Sequence, residues 1–598
     1  MSTSNFVSAM DSTSLALSNL TPGENGMLEQ KSTDSVMLDL FFKLVRDLSY
    51  DEIRAKVSNI LMLEEPNLIA DLFVLTFQTR DCRGGKGEKM LFYHMLLELY
   101  EQYPETVISL LGEIKNYGYY KDLINLLEMI VSKQSNIEFN NLDRLKSEIV
   151  DLFTSQLLKD KKELESSSVS GEIPKLSLAA KYAPREGKKF SAICNMFVKK
   201  LFSKSSTSKE QYRKLIVSLA KTLDIPEVLM CAKNFDEINF KKVPSLCLNR
   251  NRKAFLNELV TKKGSHPIPL SDIEAETGNR HPNDPKRVQC RKNLQLASVE
   301  GKVCGKVLQP HELVSQLMAN SRISSIESDL YDAQWKKIKE GVVEGMTKVM
   351  STADSSGINL GKLVSLVDVS GSMEGTPMEV AIALGILVSE LCDSAFKDRF
   401  ITFHEKPTWV SLEGISSLKD KVVKTMGSPW GGSTNFEAAL EMILSVATKH
   451  RLSPEDIPDL IVFSDMQFNQ AGKYNETMHD VISRRFSEEG VKICGKPYRL
   501  PKIIYWNLRG NTRGYPVEAN TPNTQMLSGF SPSLLKLLLD GEPMVIEEVA
   551  ADGSILQREV TPEETLKKAL NDERYNLIRV ILSQSNEGLL SRYTFTPL

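Results

Sequence analysis

Paired cysteines are missing from this chain. Its eight cysteines, scattered from Cys82 to Cys494, include no Cys-x-x-Cys pair, and none clusters with histidine at zinc spacing. That pattern excludes a redox dithiol and a finger-type zinc site, and it fits reduced, mostly buried thiols in an intracellular protein. No apolar run is long enough to span a bilayer, so no membrane partner is expected. The first thirty residues contain neither Lys nor Arg, which argues against a secretory signal and a mitochondrial-type presequence. The expectation is a cytoplasmic chain, or a nuclear one, with a disordered leader over residues 1–34. A large charge imbalance is also lacking: the net charge is -3, so any basic surface must be local.

Enzymatic signatures are equally scarce. Cys82-Arg83-Gly84-Gly85-Lys86-Gly87-Glu88-Lys89 is rich in glycine and lysine, yet lacks the Gly-x-x-x-x-Gly-Lys-Ser/Thr spacing that wraps a phosphate. Ser370 and Ser372 follow a strand, but neither is flanked by glycines as a hydrolase nucleophile is, and of the seven histidines only His404 lies near in sequence. No second metal or general base is evident. The expectation is a protein without catalytic activity.

What is present begins with helices. From about Ser35 to Lys262, segments such as VMLDLFFKLVRDL, NLIADLFVLTF, EKMLFYHMLLELY and YKDLINLLEMIV place apolar residues at three- and four-residue spacing. Short breaks at Gly84-Gly85, Pro104 and Gly118 separate them, which predicts paired antiparallel helices stacked as a HEAT-like solenoid or ring without a strict repeat. Residues 263–306 are proline- and charge-rich with weak periodicity, which predicts an irregular insertion. Helices resume from Pro310 to Thr352.

After Gly357 the pattern alternates. Leu363, Val364, Leu366 and Val367 predict a strand buried on both faces, followed by a turn holding Asp368, Ser370 and Ser372, and then a helix opened by Pro377 over 378–391. Further strands are predicted at 399–403, 408–412, 460–464, 503–507 and 524–527, with helices at 418–426, 436–450, 478–489 and 533–540. Such alternation predicts an α/β doubly wound sheet with ligands at the strand carboxyl ends. Its expected span is 357–545, with a C-terminal extension over 546–598 whose helix runs to Ile581 and packs back on the body.

A carboxylate and two hydroxyls alternating at a strand end point hard oxygens at one spot, as a small divalent cation requires. The remaining ligands must come from later loops, where Thr434 precedes a helix and Asp465 ends the apolar strand DLIVFSD. Each piece also has a plain structural reading: a strand-to-helix turn, a capping box of Thr434 with Glu437, and a turn at Asp465.

Together, Asp-x-Ser-x-Ser, a later threonine and an aspartate after a further strand resemble the metal-ion-dependent adhesion site of von Willebrand factor A domains. The resemblance implies that Ser370 and Ser372 bind Mg²⁺, or another divalent cation such as Mn²⁺, directly. It implies that Thr434, Asp368 and Asp465 bind directly or through water, and that one coordination position stays open for an Asp or Glu of a protein partner.

A second resemblance rests on residues 80–88 (RDCRGGKGE) and 116–123 (NYGYYKDL), which look like turns of the TROVE module, the helical-repeat ring of the Ro autoantigen and telomerase- and vault-associated proteins. With KVPSLCLNR (242–250) and LQPHELV (308–314), they resemble more closely a family of eukaryotic and viral proteins joining such a region, here 35–352, to a von Willebrand A-like domain. The Ro-like resemblance implies an RNA partner and a scaffold rather than an enzyme. Lys181, Arg185, Lys188, Lys189, Lys199, Lys200, Lys204, Arg213, Lys214, Lys241, Lys242, Arg250, Arg252 and Lys253 are the expected RNA-binding patch, with Tyr182 and Tyr212 placed to stack on bases. The alternatives are a solvated lysine face and a protein-only adaptor that uses the metal site alone.

Overall fold

The computed structural model describes residues 19–132, 142–203, 206–258, 279–319, 323–350, 359–431, 434–470, 476–495, 497–498, 500–539, 545–549 and 555–596. The expected leader is corrected over its second half, while its first 18 residues lie outside the described residues. Strands β1 (Leu20–Pro22) and β2 (Leu28–Gln30) form an antiparallel hairpin. Two three-residue strands are not stable alone, and distant contacts support these. Gln30 and Tyr515 exchange backbone hydrogen bonds of 2.9 Å, and Gly26 and Leu28 bridge to Asn469 and Thr477. The stabilising partners lie hundreds of residues away, beyond the reach of local composition.

Helices follow in the expected order: Val36–Lys43, Tyr50–Leu61, Pro66–Arg80, Met90–Gln102 and Pro104–Leu110 lead into Tyr120–Val131 and the long Leu142–Ser170. Their starts are chemically marked. Ser49 and Glu52 form a capping box, and Pro66 and Pro104 occupy first-turn positions where a missing N–H costs nothing. Helices Ser191–Phe202, Ser208–Thr222 and Ser245–Phe255 continue the series.

The irregular insertion expected over 263–306 is corrected at its end, where Pro285–Val299 is a helix capped by Asp284, whose carboxylate accepts from the backbone N–H groups of Lys286 and Arg287. Its periodicity is weak because it buries few apolar side chains. Cys290, Leu294 and Ala297 join Phe240, Phe255 and Leu330 in a small second core. Residues 259–278 of the expected insertion and its approach lie outside the described residues.

The sheet contains β3 (Leu363–Asp368), β4 (Arg399–Phe403), β5 (Thr408–Ser411), β6 (Asp459–Ser464), β7 (Ile503–Asn507) and β8 (Thr524–Ser528) in the order β5-β4-β3-β6-β7-β8. All pairings are parallel except that of β4 with β5. Every residue of β3 is buried. The helix Thr376–Leu391 packs on the sheet with twelve buried residues. The helix expected over 533–540 is a 3-10 helix over Pro532–Leu538, and a hairpin of β9 (Val545–Val549) and β10 (Ile555–Glu559) follows it.

The helical and α/β parts share one core running from Met27 to Tyr593. Lys86, fully buried, shows how tightly they join: its ammonium donates to the carbonyls of Phe41 (2.7 Å) and Leu44 (3.2 Å) and to the hydroxyl of Ser528 on β8. The C-terminal extension packs back as expected, but its helix is broken into Pro562–Leu570 and Asn576–Ser583, with Asp572 capping the turn between them. Among the described residues no helix is long and apolar enough to cross a membrane.

His311 sits in this shared core edge-on to Phe530, with ring centroids 5.4 Å apart. Burial, then the charge of Arg46, pushes its imidazole down from 6.5 to about 3. The unfolded imidazole therefore takes a proton that the folded one refuses. Stability from this group is intact above about 6.5 and is lost as pH falls toward about 3. At about 1.4 kcal/mol per unit, His311→Leu should remove about 2 kcal/mol from the destabilisation between pH 7 and pH 5. Urea titrations at the two pH values check this, and an unchanged acid slope in the variant would refute it.

Candidate functional site

The strand order reverses between β3 and β6, so their carboxyl ends open on a crevice of the kind that holds ligands in doubly wound sheets. Asp368 ends β3 and Asp465 follows β6, both with no exposed surface. One Asp368 oxygen accepts the backbone N–H of Ser370 at 2.9 Å, and the other accepts the Ser464 hydroxyl at 2.5 Å. The Ser370 and Ser372 hydroxyls lie 3.2 Å apart, and the Ser372 hydroxyl stands near enough to Asp465 to favour its charged form. Four of the five expected metal ligands are thus brought together by contacts among themselves.

Thr434, also buried, lies on a loop bound to the segment after Asp465. Asn469 donates its N–H to the Thr434 carbonyl (2.9 Å), and the Thr434 N–H donates to the Asn469 side chain (3.3 Å). Among the described residues no hydrogen bond joins its hydroxyl to the other four. The capping residue of the following helix is Asn435, which accepts from Ala438, rather than Thr434.

The electrostatics describe a place short of positive charge. Burial, then the neighbouring Asp465 charge, pushes the Asp368 carboxyl up to about 7. Burial also raises Asp465, opposed by the Gln467 N–H, the Ser372 hydroxyl and Arg509. One Asp465 oxygen is buried without a hydrogen-bond partner, and its nearest cation is the Arg509 guanidinium at 3.7 Å. Two adjacent buried carboxylates with an orphaned oxygen fit a bound cation. The donor set is two carboxylates and hydroxyls, and among the described residues no group of three His, Cys, Asp or Glu is placed to hold a metal ion. Hard oxygens of this kind suit Mg²⁺ or Mn²⁺ better than zinc.

Ser464, Gln467 and Arg509 were not foreseen as neighbours of this site. Arg509 stands just past the carboxyl end of β7, where the rule that gathers ligands at strand ends points. Nothing in the sequence singles out Glu24 of the β1–β2 turn, yet its carboxylate lies 3.4 Å from the same Arg509 nitrogen that faces Asp465.

The expected RNA patch is divided by the structure. Arg252 is buried and paired with Glu327 at 2.5 Å, and Lys253 pairs with Glu258 and Glu327. Lys200 pairs with Asp151, Arg213 with Glu186 and Lys214 with Glu210. Tyr212 is buried with its hydroxyl on the Pro184 carbonyl, so it offers no face to a base. Burial and pairing take Arg252 out of the patch, whereas Lys200, Arg213 and Lys214 remain largely exposed beside their acids. Arg185, Lys188, Lys189, Lys199 and Lys242 are exposed, and Lys204 lies outside the described residues.

Lys181, Arg250 and Lys241 instead turn into a cavity of about 710 Å³ with residues the sequence reading missed. Arg83, Lys89, Lys121, Lys302, Lys306 and Lys337 complete its basic lining, beside Tyr119 and Tyr182. These come from turns and helices that nothing local associates.

A family model described as "Domain of unknown function (DUF7788)" matches residues 362–575, and another, "Domain of unknown function (DUF2828)", matches residues 23–148 and 140–261. "Uncharacterized protein L728" of Acanthamoeba polyphaga mimivirus is 31% identical over 595 residues, covering 96% of this chain and 92% of that protein. This chain belongs to the L728 family. Within it, the DUF7788 match begins one residue before β3 and takes in the whole sheet, every candidate metal residue and the helix Pro562–Leu570. The DUF2828 matches hold the cavity wall from Arg83 to Arg250, whereas Lys302, Lys306 and Lys337 fall between the two families.

Proposed function

We propose that this chain is a non-enzymatic binding scaffold whose helical part, a HEAT-like solenoid of the Ro type, holds RNA. Its α/β part, a von Willebrand factor A-like unit, docks a partner's Asp or Glu through Mg²⁺ or Mn²⁺. The observation that carries the RNA reading is the basic cavity, whose cations outnumber its acids and stand beside two tyrosines. Phosphate neutralisation supplies affinity and the aromatic faces accept bases.

In the docking role, Asp368, Ser370, Ser372, Thr434 and Asp465 would hold the cation. The bound ion would supply one acidic position for an outside carboxylate oxygen. Ser464 and the Ser370 N–H orient the Asp368 carboxylate, and the Gln467 N–H orients that of Asp465.

If about five cations engage a single strand, affinity should fall roughly 100-fold between about 50 and 200 mM salt. Fluorescence anisotropy with single-stranded and structured RNA measures this. A flat salt response, or no binding at low salt, refutes the RNA reading. The orphaned Asp465 oxygen favours a second reading, a protein-only adaptor. Pull-downs that resist ribonuclease but vanish in Asp368→Ala would select it.

A further inference from the structure

We infer that the basic cavity is a receptor for one compact cluster of phosphates: a polyphosphate group, free or at the end of a chain, rather than an evenly charged strand. The inference shares with the proposed function the premise that the cavity takes phosphate, and the arms of its test separate the two.

Several of the cavity's cations are already spent on acids at its rim. Lys181 pairs with Glu227, Lys302 with Glu300, Lys306 with Glu344 and Lys337 with Glu340. Lys89, Lys121 and Arg250 have no ion pair among the described residues. They crowd one another: burial, then the charges of Arg250, Lys89 and Lys189, holds the Lys121 ammonium below its ordinary range. Arg83 adds a guanidinium over the Tyr119 ring, 5.8 Å from its centroid, and donates to the Asn116 carbonyl at 3.0 Å.

The acids nearby answer this charge only in part: Asp122 favours the charged Lys121, and Glu312 feels Lys89 and Arg250. Asp122 is committed to Arg80, to the Tyr93 hydroxyl and to the Tyr119 N–H. Glu227 serves Lys181 and the Cys247 thiol. Glu312, which faces Lys89 and Arg250 from the other flank, accepts the Gln309 N–H, and burial raises its pKa.

Lys121 also lies in the first turn of the helix Tyr120–Val131, whose amino end favours an anion. Unpaired like charges held together cost free energy until an anion joins them. The ligand that relieves the most is one bearing several negative charges in a small volume. A cavity of about 710 Å³ is of small-molecule size. That volume matches a tripolyphosphate with its attached nucleoside, and Tyr182 lines the cavity as a surface for the base.

The test is calorimetric titration of the full chain with inorganic tripolyphosphate, run beside two RNAs of one sequence ending in a 5′-triphosphate or a 5′-hydroxyl. Tripolyphosphate should bind the wild type. Lys121→Ala and Arg250→Ala should each weaken it by roughly tenfold or more, as loss of one charge-assisted contact does. Asp368→Ala should leave it unchanged. Because Lys121→Ala relieves like-charge crowding, its melting temperature should not fall, so weaker binding is not weaker folding.

Preference for the 5′-triphosphate RNA identifies a chain end as the source. Equal RNA affinities, with nucleoside triphosphates binding as tripolyphosphate does, identify a free nucleotide. Both support the inference. No heat with tripolyphosphate at low salt, or equal affinity in the variants, overturns it even if both RNAs bind. Tripolyphosphate binding with neither RNA bound keeps the inference and removes the RNA reading.

Discussion

Asp368→Asn should abolish Mn²⁺ binding while leaving the metal-free protein at least as stable as the wild type. The two effects have one cause. Asp368 and Asp465 are both buried, and the repulsion between them is relieved either by a cation or by removing one charge. Asparagine keeps an oxygen for the Ser370 N–H and a polar atom beside Ser464, so the turn is retained. Thermal melts with and without Mn²⁺, with paramagnetic detection of bound ion, read both signs. At a hundredfold excess over Kd, the ion should add about 2.7 kcal/mol to the wild type and nothing to the variant. If Mn²⁺ protects both proteins equally, the acidic pair is structural. Ser372→Ala, at an exposed position, should weaken the ion less.

Asp122→Ala is expected to cause the largest loss of stability from a single change in the helical part, about 3–5 kcal/mol, because it leaves a buried charge uncompensated. Asp122 and Arg80 are almost wholly enclosed, 2.7 Å apart, and two of the Arg80 guanidinium nitrogens already lack partners. The same carboxylate accepts the Tyr93 hydroxyl at 2.6 Å and caps the helix from Tyr120 through the Tyr119 N–H. Urea unfolding measures the cost, and the double change Arg80→Met with Asp122→Leu should restore most of it. A loss below about 1 kcal/mol would mean that water reaches the guanidinium.

The helices, the strands and the meeting of Asp368, Ser370, Ser372 and Asp465 were legible because each follows from a short-range pattern: apolar periodicity, or oxygens placed at a strand end. The β1–β2 hairpin was not legible, since its stability resides in Tyr515, Asn469 and Thr477. The helix Pro285–Val299 was hidden by how little it buries. The basic patch was misread in part because linear charge density does not say which lysines meet an acid. Arg252 and Lys253 find Glu327 on a distant helix, while Lys89 and Lys121, which stand in two turns noted for other reasons, arrive in the same cavity as Arg250.

The return of the chain's last helices to its first has a consequence for synthesis. Arg579 donates to Asp71 at 2.7 Å across 508 residues, Arg574 grips Asp81, and Tyr575 stacks on Tyr117 with centroids 5.7 Å apart. The flank of Pro66–Arg80 that meets these groups is translated some 508 residues before the segment that covers it. A nascent chain must carry that flank uncovered until the segment from Arg574 to Arg579, which meets it, has left the ribosome. Expressing either half alone, split near Gly357, should therefore yield aggregating fragments, and co-expressing the two halves should rescue them.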